Sequence, residues 1–163
     1  MTDYLAKSAI VSDDGLHRYR LWRRWGRKHG KTACFVMLNP STADGEQDDP
    51  TIRRCVGFAK REGCDGLVVV NQFAYRATSP LELWKQPQLV ARGRRNHEYL
   101  FHAIDQADIV IAAWGDGMRG RNVWWPDDAV GWSLGPLTRA GQPRHPLYLK
   151  ADTPLLRYVP REP

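Results

Sequence analysis

Residues 33–49 read ACFVMLNPSTADGEQDD, an unbroken apolar run from Ala33 to Leu38 that stops in Asn39-Pro40-Ser41 and gives way to an acidic loop. A run without a polar face fits a central strand covered on both sides, as in a parallel sheet with helices packed against it. Pro40 cannot donate to a sheet ladder, so the strand ends before it. Ligands of open α/β sheets bind beyond the carboxyl ends of the strands, which makes Asn39, Ser41 and Asp44 candidates for chemistry. A plain strand followed by an Asn-Pro turn accounts for the same residues without any function.

Downstream, Asp49 is a natural N-cap with Pro50 at the first helical position, and Ile52, Cys55, Val56 and Ala59 keep helical spacing, so a helix is expected over 50–62. Its amino end faces back toward Asn39 and favours an anionic group there. Residues 66–71 form a second apolar strand that also ends in asparagine, Asn71. A loop with Gln72, Phe73, Tyr75 and Arg76 follows, and Ser79 caps a short helix. A longer helix is expected over 92–106 with Asn96 on its apolar stripe, where a hydrogen-bonded structural role competes with ligand contact. The third apolar strand, 108–114, halts at Gly115-Asp116-Gly117. Residues 118–128 carry no clear pattern. Residues 130–134 read as a fourth strand, 147–149 as a short extended piece, and the tail from Thr153 as loosely pinned.

Upstream, a short strand near 5–11, a turn at Asp13-Asp14-Gly15, a strand over 17–25 and a turn at 27–31 suggest a hairpin with the basic strand nearer the edge. The fold class is therefore α/β. A three-layer α/β/α domain is expected, with a short, mainly parallel sheet and an antiparallel N-terminal edge strand.

A chain of 163 residues is expected to form one domain with a core that needs neither disulfide nor metal. No apolar run approaches the roughly 18 residues of a membrane span and no secretory h-region is present, so a cytoplasmic monomer without membrane contact is expected. Cys34, Cys55 and Cys64 are odd in number and lack metal-ligand spacing, which predicts buried, reduced thiols. The net charge of +6 is concentrated in one segment: Arg18, Arg20, Arg23, Arg24, Arg27, Lys28 and Lys31 fall together with no acid among them. Interleaved with Tyr19, Trp22 and Trp25, they suit phosphates and unstacked bases, which predicts a nucleic-acid partner, DNA in preference. A solvated edge strand protected from aggregation by its cations is the competing reading.

Asn39, Ser41, Asp44, Asp48, Asn71, Tyr75, Asp116 and His145 all follow strands or lie on late loops. The acidic loop lacks the glycine and glutamate placement of an EF-hand, so neither a metal nor a cofactor is expected. His145 has no apolar face to bury it, and an imidazole there can donate to developing negative charge.

The motifs LNPSTAD (38–44), DDPTIRRC (48–55), VVNQFAYRAT (69–78), AAWG (112–115) and GQPRHPLYL (141–149) resemble a widespread bacterial and phage domain family of unknown function, over roughly 18–149. The order of features is also similar to the uracil-DNA glycosylase superfamily: a strand ending in Asn-Pro, a strand ending in a base-reading asparagine, a strand ending in Trp-Gly, then a His-Pro loop. That resemblance implies that Asn39 positions the attacking water, with Met37 and Ser41 where the mismatch-specific branch has glycines. It implies that Asn71 reads a flipped base, that Tyr75 or Phe73 stacks on it, and that His145 steadies the departing base. The expected site is then Asn39, Asp44 and His145 for catalysis, with Ser41, Asn71, Phe73 and Tyr75 holding the base. Two other readings stand beside base excision: a non-catalytic nucleic-acid or modified-nucleotide binding module, and an enzyme of free nucleotides or nucleosides whose acidic loop holds Mg²⁺.

Overall fold

The computed structural model describes residues 2–118 and 120–160. Its strands are β1 (Ala6–Val11), β2 (Arg18–Arg24), β3 (Thr32–Met37), β4 (Gly66–Asn71), β5 (Ile109–Ala112), β6 (Gly131–Leu134) and β7 (Leu155–Tyr158), joined in one sheet of order β1-β2-β4-β3-β5-β6-β7. The four central strands are parallel, while β1 with β2, β2 with β4, and β6 with β7 pair antiparallel. The expected short, mainly parallel sheet is thus corrected to a seven-stranded mixed one. The tail supplies β7, and no loose end begins at Thr153.

The helices are α1 (Pro50–Arg61), α2 (Pro80–Trp84), α3 (Gln88–Arg92) and α4 (Asn96–Gln106). Asp49 caps α1 by accepting from the Ile52 N–H at 2.9 Å, which satisfies one of the free donors at the helix start. The single helix expected over 92–106 is broken: Gly93 sits at φ +85°, a backbone state that ends α3 and that only glycine adopts freely. Residues 146–148 form a 3-10 turn in place of the expected extended piece. Arg119, in the segment without a pattern, lies outside the described residues.

β3 shows why its sequence is apolar throughout. Cys34 and Val36 join one buried cluster with Leu100, Ala103 and Ile104 of α4, whereas Ala33, Phe35 and Met37 join another with Ile52, Cys55, Val56 and Phe58 of α1. Burying each of the larger side chains contributes about 1.5–3 kcal/mol. All three cysteines are free and buried; burial pushes the Cys34 and Cys55 thiols up, away from reactivity.

The first two strands pair antiparallel as expected, but the basic one is not at the edge. β2 pairs β1 on one side and β4 on the other, so the basic strand is interior and β1 is the edge. Its arginines are correspondingly consumed. Arg23 is fully buried, donates from Nε to Asp48 at 2.8 Å, and reaches the carbonyls of Trp22, Asp44, Ser8 and Gln47. Tyr4 donates to the other Asp48 oxygen. Arg24 is buried against the Arg27 and Gly30 carbonyls and the Thr32 hydroxyl, and Arg18 donates to the Ala43 carbonyl at 2.7 Å. All three are buried, which corrects the expected exposed phosphate-binding surface, and Arg23 and Arg24 are internal ties between β2 and its neighbours. Asp48→Asn is expected to cost about 2 kcal/mol, the scale of a hydrogen bond to a charged group, because the carbonyls keep most of the guanidinium satisfied. Chemical denaturation checks this, and an unchanged midpoint would show that the pair adds nothing.

Candidate functional site

β3 and β4 finish side by side, with Met37 opposite Asn71. Their exits then diverge, one to α1 and the other to α2. A crevice opens where neighbouring exits part, at the carboxyl ends of β3, β4 and β5. It is a cleft of about 510 Å³, enough for a base with its sugar. Asn39, Ser41, Asn71 and His145 all line it, together with Arg18, Asp49, the first residues of α1, Trp114, Asp116 and Tyr148.

Asn71 is the anomaly. It is 1% exposed, its main-chain carbonyl accepts from Asn96 Nδ2 at 2.8 Å, and yet neither its Oδ1 nor its Nδ2 has a partner. A buried amide left unmet costs on the order of 1–3 kcal/mol per group, and these two atoms are a donor and an acceptor in the wall of the cleft. A cavity of the same volume between α4 and residues 126–130 presents Asp105, Asp108 and Asp128, but none of its described lining atoms is buried without a partner.

The other groups are oriented. Asn39 donates from Nδ2 to the carbonyls of Pro40 at 3.0 Å and Ala77 at 2.9 Å, which fixes the amide and leaves Oδ1 as its acceptor. His145 accepts at Nδ1 from the Leu147 N–H at 3.2 Å, so the neutral ring carries its proton on Nε2. Burial lowers the pKa of His145, with the Asp49 carboxylate pulling the other way, which favours the neutral ring. Its loop is pinned over the cleft: the Gly115 N–H donates to the Pro143 carbonyl at 2.8 Å, and Trp114 Nε1 donates to Gln142 at 2.8 Å. Gly115, at φ +68°, faces the His145 Cβ, and a side chain there would be strained by that backbone state.

Three expected members are elsewhere. Phe73 is buried in the core, edge-on to Trp84 and covered by Arg92. Tyr75 bridges to His17 away from the cleft. Asp44 closes its own turn, accepting from the Glu46 and Gln47 N–H groups, which hold its carboxyl below the usual range. None of the three lines the cleft. The aromatic residue at the mouth is instead Tyr148, 86% exposed, its ring 6.3 Å from that of His145. The signal for it was its place three residues after His145.

The acidic loop is likewise occupied. Asp48 holds Arg23, Asp49 caps α1, and Glu46 pairs with Lys7 at 2.9 Å; no cluster of three potential metal ligands occurs among the described residues. Residues 115–120 have Gly-x-Gly-x-x-Gly spacing, but after β5 comes a 3-10 turn and the next described element is β6. A dinucleotide fingerprint needs a helix there.

Arg27, Lys28 and Lys31, the exposed remainder of the basic segment, lie at the turn before β3. The cleft is at the other end of that strand, about 20 Å away. Arg27 is also paired with Asp65, and Arg20 is half-buried beside Trp22 and His102. The segment does not form a surface leading into the cleft.

The family model described as "Protein of unknown function (DUF1643)" matches residues 18–147. The chain belongs to this family. The match takes in β2 through the His145 turn, and so every residue named above as lining the cleft except Tyr148. No curated protein and no solved structure matches the chain. No helix among the described residues is long and apolar enough to cross a membrane.

Proposed function

We propose that the cleft receives a nucleobase and that the protein hydrolyses its N-glycosidic bond. The observation that carries this reading is the unpartnered Asn71 amide. A donor and an acceptor side by side match the hydrogen-bonding edge of a base, which presents the complementary pair in one plane. In the proposed reaction a water held by Asn39 Oδ1 attacks the anomeric carbon, the carbon–nitrogen bond breaks, and its electron pair leaves with the base. Negative charge that develops on a carbonyl oxygen of the departing base is met by the His145 Nε2–H, and the water's proton passes to solvent or to the departing base. Tyr148 stacks on the base at the mouth. The order of these features along the chain supports the same reading through its similarity to uracil-DNA glycosylases, and no cofactor is required.

The test is a panel of single- and double-stranded oligonucleotides with natural, deaminated and hypermodified bases, scored for abasic sites. It is run beside free nucleosides and nucleotides scored for released base. Asn39→Ala is expected to lower turnover roughly 10- to 100-fold with little change in KM, because a water-positioning group acts mainly in the transition state. A rise in KM at constant kcat would reassign Asn39 to binding.

A second reading, hydrolysis of a free nucleoside or nucleotide, is favoured by one observation. The arginines that would hold a polymer beside the cleft are interior, and Arg18 alone lines it, 2% exposed with its Nε unpartnered. One buried guanidinium near the amino end of α1 suits one anionic group better than a strand. Release of base from a free nucleotide but from no oligonucleotide would select this reading. Tight binding without release from any substrate would select the non-catalytic module.

A further inference from the structure

The buried arginines of β2 differ in what compensates their charge. Arg23 has Asp48 at 2.8 Å, and Arg24 is spread over two carbonyls and a hydroxyl. Arg18, 2% exposed, has the Ala43 carbonyl at 2.7 Å for Nη1 and no partner for Nε. No carboxylate forms an ion pair with it among the described residues. Burial pushes its pKa down to about 10, with Asp49 pulling it up and Arg76 and Arg23 pushing it further down, so the group is a cation at neutral pH. A guanidinium offers donors only, and a buried cation without a paired carboxylate is costly to the fold.

The place of Arg18 says what could supply the missing charge. Leu21 faces Val69 across β2 and β4, so Arg18 and Asn71 lie at the same end of neighbouring strands, whose backbones run about 5 Å apart. Both line the cleft. The amino end of α1 lines it too. Pro50 has no N–H, Asp49 takes that of Ile52, and the Thr51 N–H is one of the donors that a helix start leaves to an outside partner. Ser41, Thr42 and Thr51, each with a hydroxyl, share the lining. Its two acids are engaged, Asp49 with Ile52 and Asp116 with the Thr138 hydroxyl at 2.5 Å. A guanidinium, a helix N–H and hydroxyls from separate segments meet an anion from several sides, which the three terminal oxygens of a phosphate use better than a planar carboxylate does.

We propose that Arg18 and the start of α1 hold a phosphate in the cleft. With a base at the Asn71 amide, a placement that rests on the base-excision reading, the ligand class is a nucleotide and not a free base or a nucleoside. The phosphate belongs either to a free nucleotide or to the backbone beside a flipped one.

The test is calorimetric titration of the full chain with inorganic phosphate, ribose 5-phosphate, nucleoside 5′-monophosphates of natural and deaminated bases, the matching nucleosides, and single strands about 12 nucleotides long carrying the same bases. A nucleotide is expected to bind about tenfold or more tightly than its nucleoside. Arg18→Gln is expected to remove about 10- to 100-fold of the nucleotide's affinity, the usual worth of charged hydrogen bonds, and to leave nucleoside binding unchanged. Arg18→Lys, which keeps the charge without the fork, falls between. Lys28→Gln, an equal charge change at the far turn, is expected to bind as the wild type does. Because Arg18 is buried, a thermal melt checks each variant, and one readout needs no variant: inorganic phosphate is expected to shift the Arg18 Nε–H resonance of the wild type and to leave that of Arg23, closed by Asp48, in place. The proposal is overturned if neither phosphate nor any nucleotide binds, if the Arg18 resonance does not move, if Arg18→Gln binds nucleotides as well as wild type, or if Lys28→Gln weakens binding as much. Weakening by Arg18→Gln of mononucleotides alone supports it with a free nucleotide as the source, and weakening of the strands as well supports it with a backbone phosphate. Ribose 5-phosphate that binds as tightly as every nucleotide would uphold the phosphate site and remove the base from Asn71. Nucleosides that bind as tightly as nucleotides would overturn the phosphate site and leave the base reading standing.

Discussion

Asn71→Leu is expected to melt several degrees above the wild type while losing recognition of its ligand. The two effects share one cause. In the folded protein the Asn71 amide is buried and neither of its polar atoms has a partner. Leucine fills a similar space without polar atoms, so the replacement removes a penalty of about 1–3 kcal/mol. For a domain of this size each kcal/mol moves Tm by roughly 2–4 °C. A base pressed against leucine loses both hydrogen bonds and has its own edge stranded, so kcat/KM is expected to fall on the order of 10²-fold or more. Calorimetry on the free protein and the base-release assay read the two halves separately. A lower Tm for the variant would mean that the amide is satisfied inside the protein and serves the fold, which would sink the recognition role.

His145→Ala is expected to reduce turnover at saturating substrate by about 10²–10³-fold, the usual worth of one preorganised donor at a developing anion, with affinity changed only a few-fold. The size follows from the tautomer. The Leu147 N–H occupies Nδ1, so the Nε2–H is aimed without reorganisation. The same burial has a consequence for stability. It lowers the folded pKa of His145 below its ordinary 6.5, so the unfolded chain takes up the proton first as pH falls. The contribution of the neutral ring is therefore complete above about pH 6.5 and is lost as pH drops through the folded value. Wild-type Tm should decline over that interval more than the Tm of His145→Ala. Identical profiles for the two proteins would assign the acid sensitivity to other groups, and equal turnover would remove His145 from the reaction.

Where a feature depends on near neighbours in the chain, the sequence was sufficient. The bounds of β4, the Asp49 cap and Pro50 start of α1, the Ser79 cap of α2 and the two strands that finish at the cleft rim all follow from local patterns of apolar residues, proline and capping side chains. So does the belonging of Asn39, Ser41 and His145 to one end of the sheet, because loops after parallel strands gather there. Gly93 lies within the helical pattern of 92–106, but its positive φ, where α3 ends and the path to α4 begins, is not written in that pattern. The weak apolar pattern of 155–158 became β7 only because β6 offered an edge to pair with.

Only the tertiary structure decided which polar groups are free. Seven cations in a row look uncompensated along the chain, yet Asp48 comes from 25 residues beyond Arg23 to neutralise it, and β1 and β4 bury the strand from both sides. Phe73 and Tyr75 resembled stacking residues on a loop until α3 and β2 covered them, and Tyr148 took the exposed place at the mouth. Asn71 marks the boundary most sharply. Its position at the end of a buried strand is written in residues 66–71, but the absence of any partner for its amide is a property of everything packed around it, since hydrogen bonding and burial are settled between residues far apart in sequence.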